Sequence, residues 1–453
     1  MGIAPLARII GQRAAGPCLL AGTALLLASA GTAAVSGTPA VASAAVGPPV
    51  VTVKPCIGKK VTGPFVVRGA QVYSDNGKSR ADAATFLSYG VTVANSLEKG
   101  TWPTGKLTPS ELNARVAGDE QRIAWSADDW CANTIRIQVN QDLLFGNGTT
   151  INRGYAVNRD YLEAIEAEVT YAVHDKLVVV LNDSTESAVH GNSQVMPTST
   201  TFMFWKVMSG IYGRVHGPGG MNGPAHVIFD LFNEPRYRDS TWPFWYYGDA
   251  IMVPPPPAGD FYFGMEQLAT FVRRLAPNLF WIEGPDFSDS FIGLDTPGMF
   301  PNYLITAGNV VYAIHHPLAA TETALPDNPT VWNLDFGYLV RDGIAPVVVG
   351  EWTNHELGKG AGVGNSACWT DAPTQVKVFL EDYLARYGIG LSAYTLSPGY
   401  LLRTEPHGKA DPLQPSTINP SVWTCKPSGG PYSGQEGAGY PVYQFFREGN
   451  AAS

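Results

Sequence analysis

Short apolar runs that alternate with helical patterns constrain this chain more than any other feature of its sequence. Spacing typical of helices fits between most of the runs, for example at residues 161–173, 265–275 and 375–387. Continuous apolar strands that alternate with amphipathic helices are typical of parallel sheets, and eight of them predict an α/β fold, a closed (β/α)8 barrel. The eight runs lie at residues 65–70, 134–139, 177–181, 227–232, 279–282, 310–314, 346–350 and 390–394. An open doubly wound sheet is the alternative, but no glycine-rich phosphate loop follows the first run.

We interpret residues 45–453 as a single barrel domain, because barrels of this class often exceed roughly 250 residues as one unit. Residues 50–53 and 60–61 have the pattern of a small N-terminal hairpin. The loops that follow the strands are long. The fourth is rich in aromatic residues at positions 242–247, and the eighth, residues 396–439, is mostly Gly, Pro and Ser. In a barrel these loops lie on the top face, where active sites form.

The first 44 residues have the pattern of an export signal. Arg8 and Arg13 precede an apolar stretch, and small-residue sites follow it. We expect cleavage at residues 42–44, with residues 28–30 as the competing site. A membrane anchor is the alternative, which the Gly, Thr and Ser content of the stretch disfavours. Removal of residues 1–44 predicts a secreted, extracellular or cell-wall-associated protein with no further membrane contact.

The cysteines fit an exported protein. Cys18 lies in the predicted signal, which leaves Cys56, Cys131, Cys368 and Cys425, and four cysteines permit three pairings. Cys56 and Cys131 both precede early strands, whereas Cys368 and Cys425 both follow late strands. Each pair therefore belongs to one face of the barrel, and we predict the disulfides Cys56–Cys131 and Cys368–Cys425. Zinc binding is disfavoured because the spacing contains no Cys-x-x-Cys element.

Composition and charge narrow the classes of partner. The formal net charge is −9 at pH 7, and no basic patch or tail is visible, which argues against nucleic acid and anionic membranes. Hydrophobic residues make up 45% of the chain, enough for a large core. Mild acidity suits a soluble, secreted protein that acts on neutral substrates, and we expect a monomer.

Two glutamates, Glu234 and Glu351, follow apolar strands directly. Two carboxyl groups presented by different strand ends on one face of a barrel are what glycosidic bond cleavage requires. Each glutamate taken alone has another explanation, since Glu234 could cap a helix and Glu351 could belong to a buried ion pair. Arg136 stands inside an apolar strand, where a guanidinium is costly unless an acid pairs with it. The three residues together favour catalysis.

The sequence resembles glycoside hydrolase family 5, a cellulase-like family of clan A. The resemblance rests on Asn-Glu-Pro at residues 233–235 after a buried strand and Gly-Glu-Trp at residues 350–352 at the end of the seventh strand. It covers the barrel from residue 66 to about residue 394. The family order implies that Glu234 is the acid/base and Glu351 the nucleophile of a retaining mechanism.

Three further roles follow from the resemblance. Arg136 matches the arginine that supports the nucleophile, and it would keep Glu351 ionised. Asn233 matches the donor to the sugar 2-hydroxyl. His315, at the end of the sixth strand, matches a substrate-contacting histidine, with a core histidine satisfied by the backbone as the alternative.

The chain also departs from the family pattern. Pro317 stands where the family has a tyrosine bonded to the nucleophile, and Thr395 where it has a tryptophan platform. The histidine expected after the third strand is missing. We therefore expect a divergent subfamily, in which other side chains take over the lost contacts. The candidates are His316, Tyr312, Trp352 and Tyr394.

These observations predict a secreted retaining glycoside hydrolase that acts on β-linked glycans of the β-glucan or β-mannan type. Its two-glutamate mechanism needs no metal and no organic cofactor. The aromatic residues of the fourth loop would either stack on sugar rings or pack that loop onto the barrel. A retaining transglycosylase, or a non-catalytic carbohydrate-binding or cell-wall protein on a degenerate barrel, remains as the alternative.

Overall fold

The structure is a computed structural model that describes much of the barrel domain. All of the described residues belong to one compact unit, Val51–Ser453. The described residues are 56, 61–75, 83–93, 97–98, 102–103, 106–146, 154–184, 195–217, 220–236, 241–251, 261–295, 302–315, 328–352, 376–397, 401–402 and 439–452. Within them, no helix is both long and apolar enough to cross a membrane. The predicted signal at residues 1–44 lies outside them.

Eight parallel strands close into a barrel, which confirms the predicted fold class. The barrel strands are β4 (Tyr89–Val93), β5 (Thr134–Val139), β6 (Val178–Asp183), β7 (Val227–Asp230), β8 (Phe280–Glu283), β9 (Val310–His315), β10 (Val347–Trp352) and β11 (Gly390–Ala393). Neighbours follow chain order, and β11 closes the ring on β4. Glu351 therefore belongs to the seventh barrel strand, as predicted, and lies beside His315 on the sixth.

The prediction for the first barrel strand was wrong. The run at residues 65–70 forms β1 (Phe65–Arg68), which pairs antiparallel with β2 (Gln71–Ser74), and β3 (Ala84–Thr85) completes a separate three-stranded sheet. Its half-buried pattern and the turn at Gly69, with φ of 60°, belong to a hairpin. The true first strand, β4, is interrupted by Gly90. A Cβ there would lie 2.3 Å from Thr134 Oγ1, so glycine is required.

The antiparallel pair Phe65–Arg68 and Gln71–Ser74 is a hairpin that the sequence did not predict, and the hairpin predicted at residues 50–53 and 60–61 lies outside the described residues except for residue 61. Residue 61 is not in a strand. The hairpin sheet closes the lower end of the barrel, since Phe65, Val72 and Phe86 share one apolar cluster with inward-facing residues of the barrel strands. Asn309 fixes the hairpin, because its amide bonds to Val67 N at 2.9 Å and to Phe65 O at 3.0 Å.

Helices surround the barrel. The predicted helices at residues 161–173 and 265–275 are confirmed, and the described part of residues 375–387 is helical with a π-helical stretch, Val378–Leu384. The helices are α1 (Pro109–Asp128), α2 (Gln141–Leu144), α3 (Arg159–His174), α4 (Ser199–Tyr212), α5 (Gly223–His226), α6 (Trp242–Tyr247), α7 (Met265–Arg273), α8 (Pro329–Trp332), α9 (Tyr338–Arg341), α10 (Ala385–Tyr387) and α11 (Gly439–Ala452). A capping box of Thr108 and Glu111 begins α1.

The barrel interior changes from apolar to charged along its axis. Val178, Ile228 and Val311 lie in the apolar cluster near the hairpin. Buried charges take over toward the carboxyl ends of the strands, where Arg136 and Glu283 are both fully buried. The charged end is the face on which barrels carry their active sites.

One of the two predicted disulfides is confirmed. Cys56 and Cys131 are bonded, with 5.2 Å between their Cα atoms, and the bond ties the N-terminal segment to the residues that precede β5. Cys368 and Cys425 lie outside the described residues, so the second bond stays a prediction.

Glu168 is a buried carboxyl on the outer layer, at the contact between α1 and α3. Burial, followed by the charge of Asp119, raises the pKa of Glu168 well above its ordinary value. The folded protein therefore holds a proton here that the unfolded chain loses once the pH exceeds about 4.5. The stabilising contribution is complete below that pH and is lost as the pH rises toward the folded pKa.

We expect Glu168→Gln to stabilise the protein increasingly above pH 4.5. The reason is that the free energy of unfolding of the wild type falls by at most about 1.4 kcal/mol per pH unit through this group. Urea unfolding of both proteins at several pH values between 4.5 and 8 measures the difference in the free energy of unfolding. Glu163→Gln, an exposed position on the same helix, is the control and should show no such trend. A constant difference across the pH range would contradict this account.

Candidate active site

Glu234 and Glu351 meet at the carboxyl end of the barrel. One carboxylate oxygen of each, and a ring nitrogen of His315, lie within 4.8 Å of one another. The two carboxyl side chains keep 23% and 18% of their surface exposed, so a ligand can reach them from solvent. The barrel has brought together two strand ends that are far apart in the sequence.

Arg136 lies beneath the two glutamates and bonds to four acceptors. Its Nε donates to Asp230 at 2.8 Å, and its Nη1 donates to Glu351 at 2.8 Å. Its Nη2 donates to Asn233 Oδ1 at 2.6 Å and to Glu283 at 3.0 Å. The predicted pairing of Arg136 with an acid is therefore present, and it extends to three carboxylates at once.

The side chain of Asn233 has a fixed orientation. A guanidinium has only donors, so the amide oxygen of Asn233 must face Arg136. The amide nitrogen is thereby turned away from Arg136 as a donor. The backbone N–H of Asn233 bonds to Asp183 O at 3.0 Å, which fixes the chain just before Glu234.

His315 lies between carboxylates on both sides of its ring. Nδ1 is 3.1 Å from Glu234 Oε1 and 3.8 Å from Glu351 Oε2. Nε2 is 3.2 Å from Glu283 Oε1, an ion-pair contact without the alignment of a hydrogen bond. A side chain that faces three carboxylates is not the core histidine satisfied by backbone that the sequence left open.

The backbone of Glu234 is held in an unusual conformation. Its φ of 46° lies in the left-handed region, which costs a residue with a side chain on the order of 1–3 kcal/mol. The N–H of Glu234 donates to Glu283 Oε2 at 2.5 Å, and Glu283 is itself fully buried. Trp245 in turn donates from Nε1 to Glu283 O at 2.9 Å. The strained residue is therefore supported from the end of β8.

A left-handed turn after β8 supports both Glu234 and His315. Asp286, Phe287 and Ser288 have φ values of 54°, 61° and 61°. The N–H of Phe287 donates to Pro235 O at 3.2 Å, and the N–H of His315 donates to Ser288 O at 2.8 Å. The Ser288 hydroxyl donates to Ala313 O at 2.6 Å. One turn thus links the segment after Glu234 to the end of β9.

The charges change the pKa values in the group. Burial would lower the pKa of His315, but Glu283 and Glu351 raise it to about 10. Burial, then the charge of Glu283, raises the pKa of Asp230 to about 7 in spite of Arg136. Burial would raise the pKa of Glu234, and its bond to protonated His315 lowers it below the ordinary value. Burial raises the pKa of Glu351 although His315 and Arg136 oppose this.

The residues named as substitutes for the lost contacts lie in different places. Trp352 is 1% exposed and stacks on Phe379, so its ring offers no open face to a ligand. Tyr394 is half-buried at the end of β11. Tyr312 is buried, and its hydroxyl accepts from Ile305 N at 2.8 Å. Thr395 is buried and donates to Thr92 O at 2.6 Å. His316 and Pro317 lie outside the described residues.

Most of the aromatic residues in the fourth loop pack the loop onto the barrel. Trp245 and Tyr246 are buried, and Trp242 stacks on Tyr303 with ring centroids 6.3 Å apart. Tyr247 is the most exposed ring of the cluster at 38%. Of the two roles predicted for these aromatic residues, the buried rings therefore have the second, which is to pack the loop onto the barrel.

Sequence reasoning missed two members of the site, Glu283 and Asp230. Glu283 follows an apolar strand directly, as Glu234 and Glu351 do, so the same signal was present in the sequence. Asp230 lies inside the fourth barrel strand, two residues after Ile228, where the alternation turns it toward the interior.

Glu234, His315 and Glu351 are also the one grouping of His, Cys, Asp and Glu in the described part of the chain that is close enough to hold a metal ion. The guanidinium of Arg136 already donates to Glu351 at 2.8 Å. A fixed cation at that distance opposes a second, divalent one.

Comparison with protein families gives a match over most of the chain. Residues 98–399 match the family model described as "Cellulase (glycosyl hydrolase family 5)". The matched range contains Arg136 and the four residues to which its side chain bonds. The predicted resemblance is thereby confirmed.

Of three similar solved structures, the first has a TM-score above 0.5 and shares the fold. A β-glucanase from Saccharophagus degradans has a TM-score of 0.51 at 14% identity, over 87% of this chain and 94% of its own. An endocellulase from the archaeon Pyrococcus horikoshii has a TM-score of 0.45 at 18% identity, over 74% and 92%. The catalytic domain of the major endoglucanase from Xanthomonas campestris pv. campestris has a TM-score of 0.44 at 14% identity, over 74% and 91%.

We expect Arg136→Met to destabilise the protein by about 3–5 kcal/mol at neutral pH, because it leaves buried carboxylates without their cation. The loss of stability should be smaller at acidic pH, where protonation of the buried carboxylates removes their uncompensated charge. Chemical unfolding at two pH values measures both effects. Arg341→Met is the control, since Arg341 is exposed and pairs with Asp342 on the surface, and it should leave stability unchanged. Equal stability of Arg136→Met and the wild type would contradict the described role.

Proposed function

Because the chain belongs to glycosyl hydrolase family 5, and is thus a glycosidase of β-linked glycans, we propose that it cleaves them with retention, using Glu351 as nucleophile and Glu234 as acid/base. The observation that carries the mechanism is that an oxygen of one carboxylate lies within 4.8 Å of an oxygen of the other. Retaining enzymes need about 5–5.5 Å between carboxyl groups, whereas inverting enzymes need about 6.5–9.5 Å to admit a water.

The proposed reaction has two steps. The carboxylate of Glu351 attacks the anomeric carbon while Glu234 gives its proton to the departing glycosidic oxygen, which leaves the sugar esterified to Glu351. Glu234, now ionised, takes a proton from water as the water attacks the same carbon, and the ester bond breaks. Both carboxyl groups end in their starting states.

Arg136 supports this assignment of roles. Its guanidinium stays charged at any physiological pH, so the carboxylate of Glu351 keeps a permanent cation 2.8 Å away. The cation at Glu234 is His315, which can lose its proton. Glu234 is therefore the carboxyl whose charge can change during the reaction. The amide nitrogen of Asn233, turned away from Arg136, is placed to donate to a sugar hydroxyl.

We further propose that the substrate is a β-glucan before a β-mannan, since the matching family is described as cellulase. The disulfide Cys56–Cys131 and the signal-like N-terminus support secretion. Transglycosylation would use the same two glutamates, and the length of the products distinguishes it from hydrolysis. Membership in an enzyme family favours catalysis over a purely carbohydrate-binding role.

We expect Glu234→Gln and Glu351→Gln each to reduce hydrolysis of a β-glucan by at least about 10³-fold, because each removes a group that reacts in both steps. Glu351→Ala should regain turnover with azide, which can replace the lost nucleophile. NMR of the first product should show the anomer of the substrate. Glu448→Gln, at an exposed position, is the control. Full activity in either Gln variant, or an inverted first product, would contradict the mechanism.

A further inference from the structure

Glu283 connects the two halves of the site without facing solvent. It is fully buried at the end of β8, next to the glycine of the Gly284-Pro285 turn. Its carboxylate accepts from Arg136 Nη2 at 3.0 Å and from the backbone N–H of Glu234 at 2.5 Å. The same carboxylate is 3.2 Å from His315 Nε2. Neither of the two proposed reaction steps uses this group.

The contacts of Glu283 require both oxygens and the negative charge. Oε1 faces two cationic groups, Arg136 and His315, while Oε2 accepts from Glu234 N. A carboxylate is an acceptor at both oxygens, whereas an amide has one acceptor and one donor. A glutamine at this position would therefore turn its NH₂ group either toward a cation or toward the N–H of Glu234.

His315 is positioned to exchange a proton with Glu234. Its Nε2 faces Glu283, so a proton on Nε2 is retained by the negative charge on that side. Its Nδ1 faces Glu234 Oε1 at 3.1 Å, a distance across which a proton can move. The ring can thus hold a fixed proton on one nitrogen and a transferable one on the other.

We propose that Glu283 is a positioning residue that holds the transferable proton on the His315–Glu234 pair and fixes the backbone of Glu234. This role rests on the proposed function of Glu234. When a glycoside covers the pair, the proton on His315 Nδ1 moves to Glu234 Oε1, and both groups become neutral. Glu234 then protonates the leaving oxygen, while His315 keeps its Nε2 proton. Water returns a proton to the pair in the second step.

The charged groups around His315 set the direction of the expected effect. Glu283, Glu234 and Glu351 are the negative neighbours at its two ring nitrogens, and Arg136 lies behind them with Asp230. Glu283 is the first of the groups that raise the pKa of His315, to about 10. Loss of the Glu283 charge lowers that pKa. The pair then releases its proton at lower pH.

The first test is the titration of His315 by NMR of ¹⁵N-histidine-labelled protein, with His315→Gln used to assign its signals. In the wild type, His315 should remain doubly protonated well above pH 7. In Glu283→Gln its pKa should fall by at least about one unit, and in Glu283→Asp, which keeps the charge, it should stay close to the wild-type value. Glu266→Gln, on α7, is the control.

The second test compares aryl β-glucosides with good and poor leaving groups. Glu283→Gln should lose about 10²-fold in kcat for the poor leaving group, which needs the proton, and little for the good one. The alkaline limb of its pH profile should move to lower pH. A wild-type His315 that titrates near its ordinary pKa overturns the proposal without any variant, and so does an equal loss for both substrates at every pH. A protein with the expected His315 titration but no hydrolysis would contradict the proposed function instead.

Discussion

The buried guanidinium of Arg136 joins β5 to the ends of three other barrel strands, β7, β8 and β10, and the geometry of the site depends on it. Burial of such a charge costs several kcal/mol unless its donors are satisfied, and here they meet Asp230, Glu283 and Glu351. A lysine could not replace it, because one ammonium group lacks the planar, forked geometry that reaches acceptors in different directions. The carboxylates are thereby held in place before any substrate arrives, which is the arrangement that electrostatic catalysis requires.

The sequence predicted the parts of the structure whose signal is local. The strand ends at Glu234 and Glu351, and the costly Arg136, follow from residues adjacent in the chain. β4 was missed because Gly90 weakens its apolar run, and its glycine is explained only by Thr134 on the next strand. Glu283 was missed although it also follows an apolar strand, because a third carboxylate has no place in a two-carboxylate mechanism. Its partners are 147 and 49 residues away in sequence, so its role depends on the tertiary structure.

Of the departures from the family, the one at Thr395 lies in the described part of the chain, whereas Pro317 lies outside it. Thr395 bonds to Thr92 and fills its position as a core residue, so the platform expected there is lost. The carboxyl end of the barrel keeps the charged residues around Arg136, and its backbone is strained at Glu234 and at residues 286–288. Strain of this kind persists only where neighbouring contacts determine the conformation, and Glu283, Ser288 and Trp245 supply those contacts.

The pKa directions of the free protein, taken alone, would exchange the roles of the two glutamates, since Glu234 has the lowered pKa and Glu351 the raised one. The lowered pKa of Glu234 follows from His315, whose positive charge stabilises the ionised form of Glu234 as long as the ring keeps both protons, and the raised pKa of Glu351 follows from burial. The catalytic role of each glutamate depends on how the charge of its carboxyl group responds when the substrate binds. Glu351 faces a guanidinium that cannot release a proton, so its charge persists when a sugar displaces water. Glu234 faces an imidazolium that can release one, so in the proposed mechanism the same desolvation favours the neutral pair and lets Glu234 act as the acid. In the proposed mechanism, the identity of the neighbouring cation, rather than the pKa of the free carboxyl, decides which glutamate donates the proton.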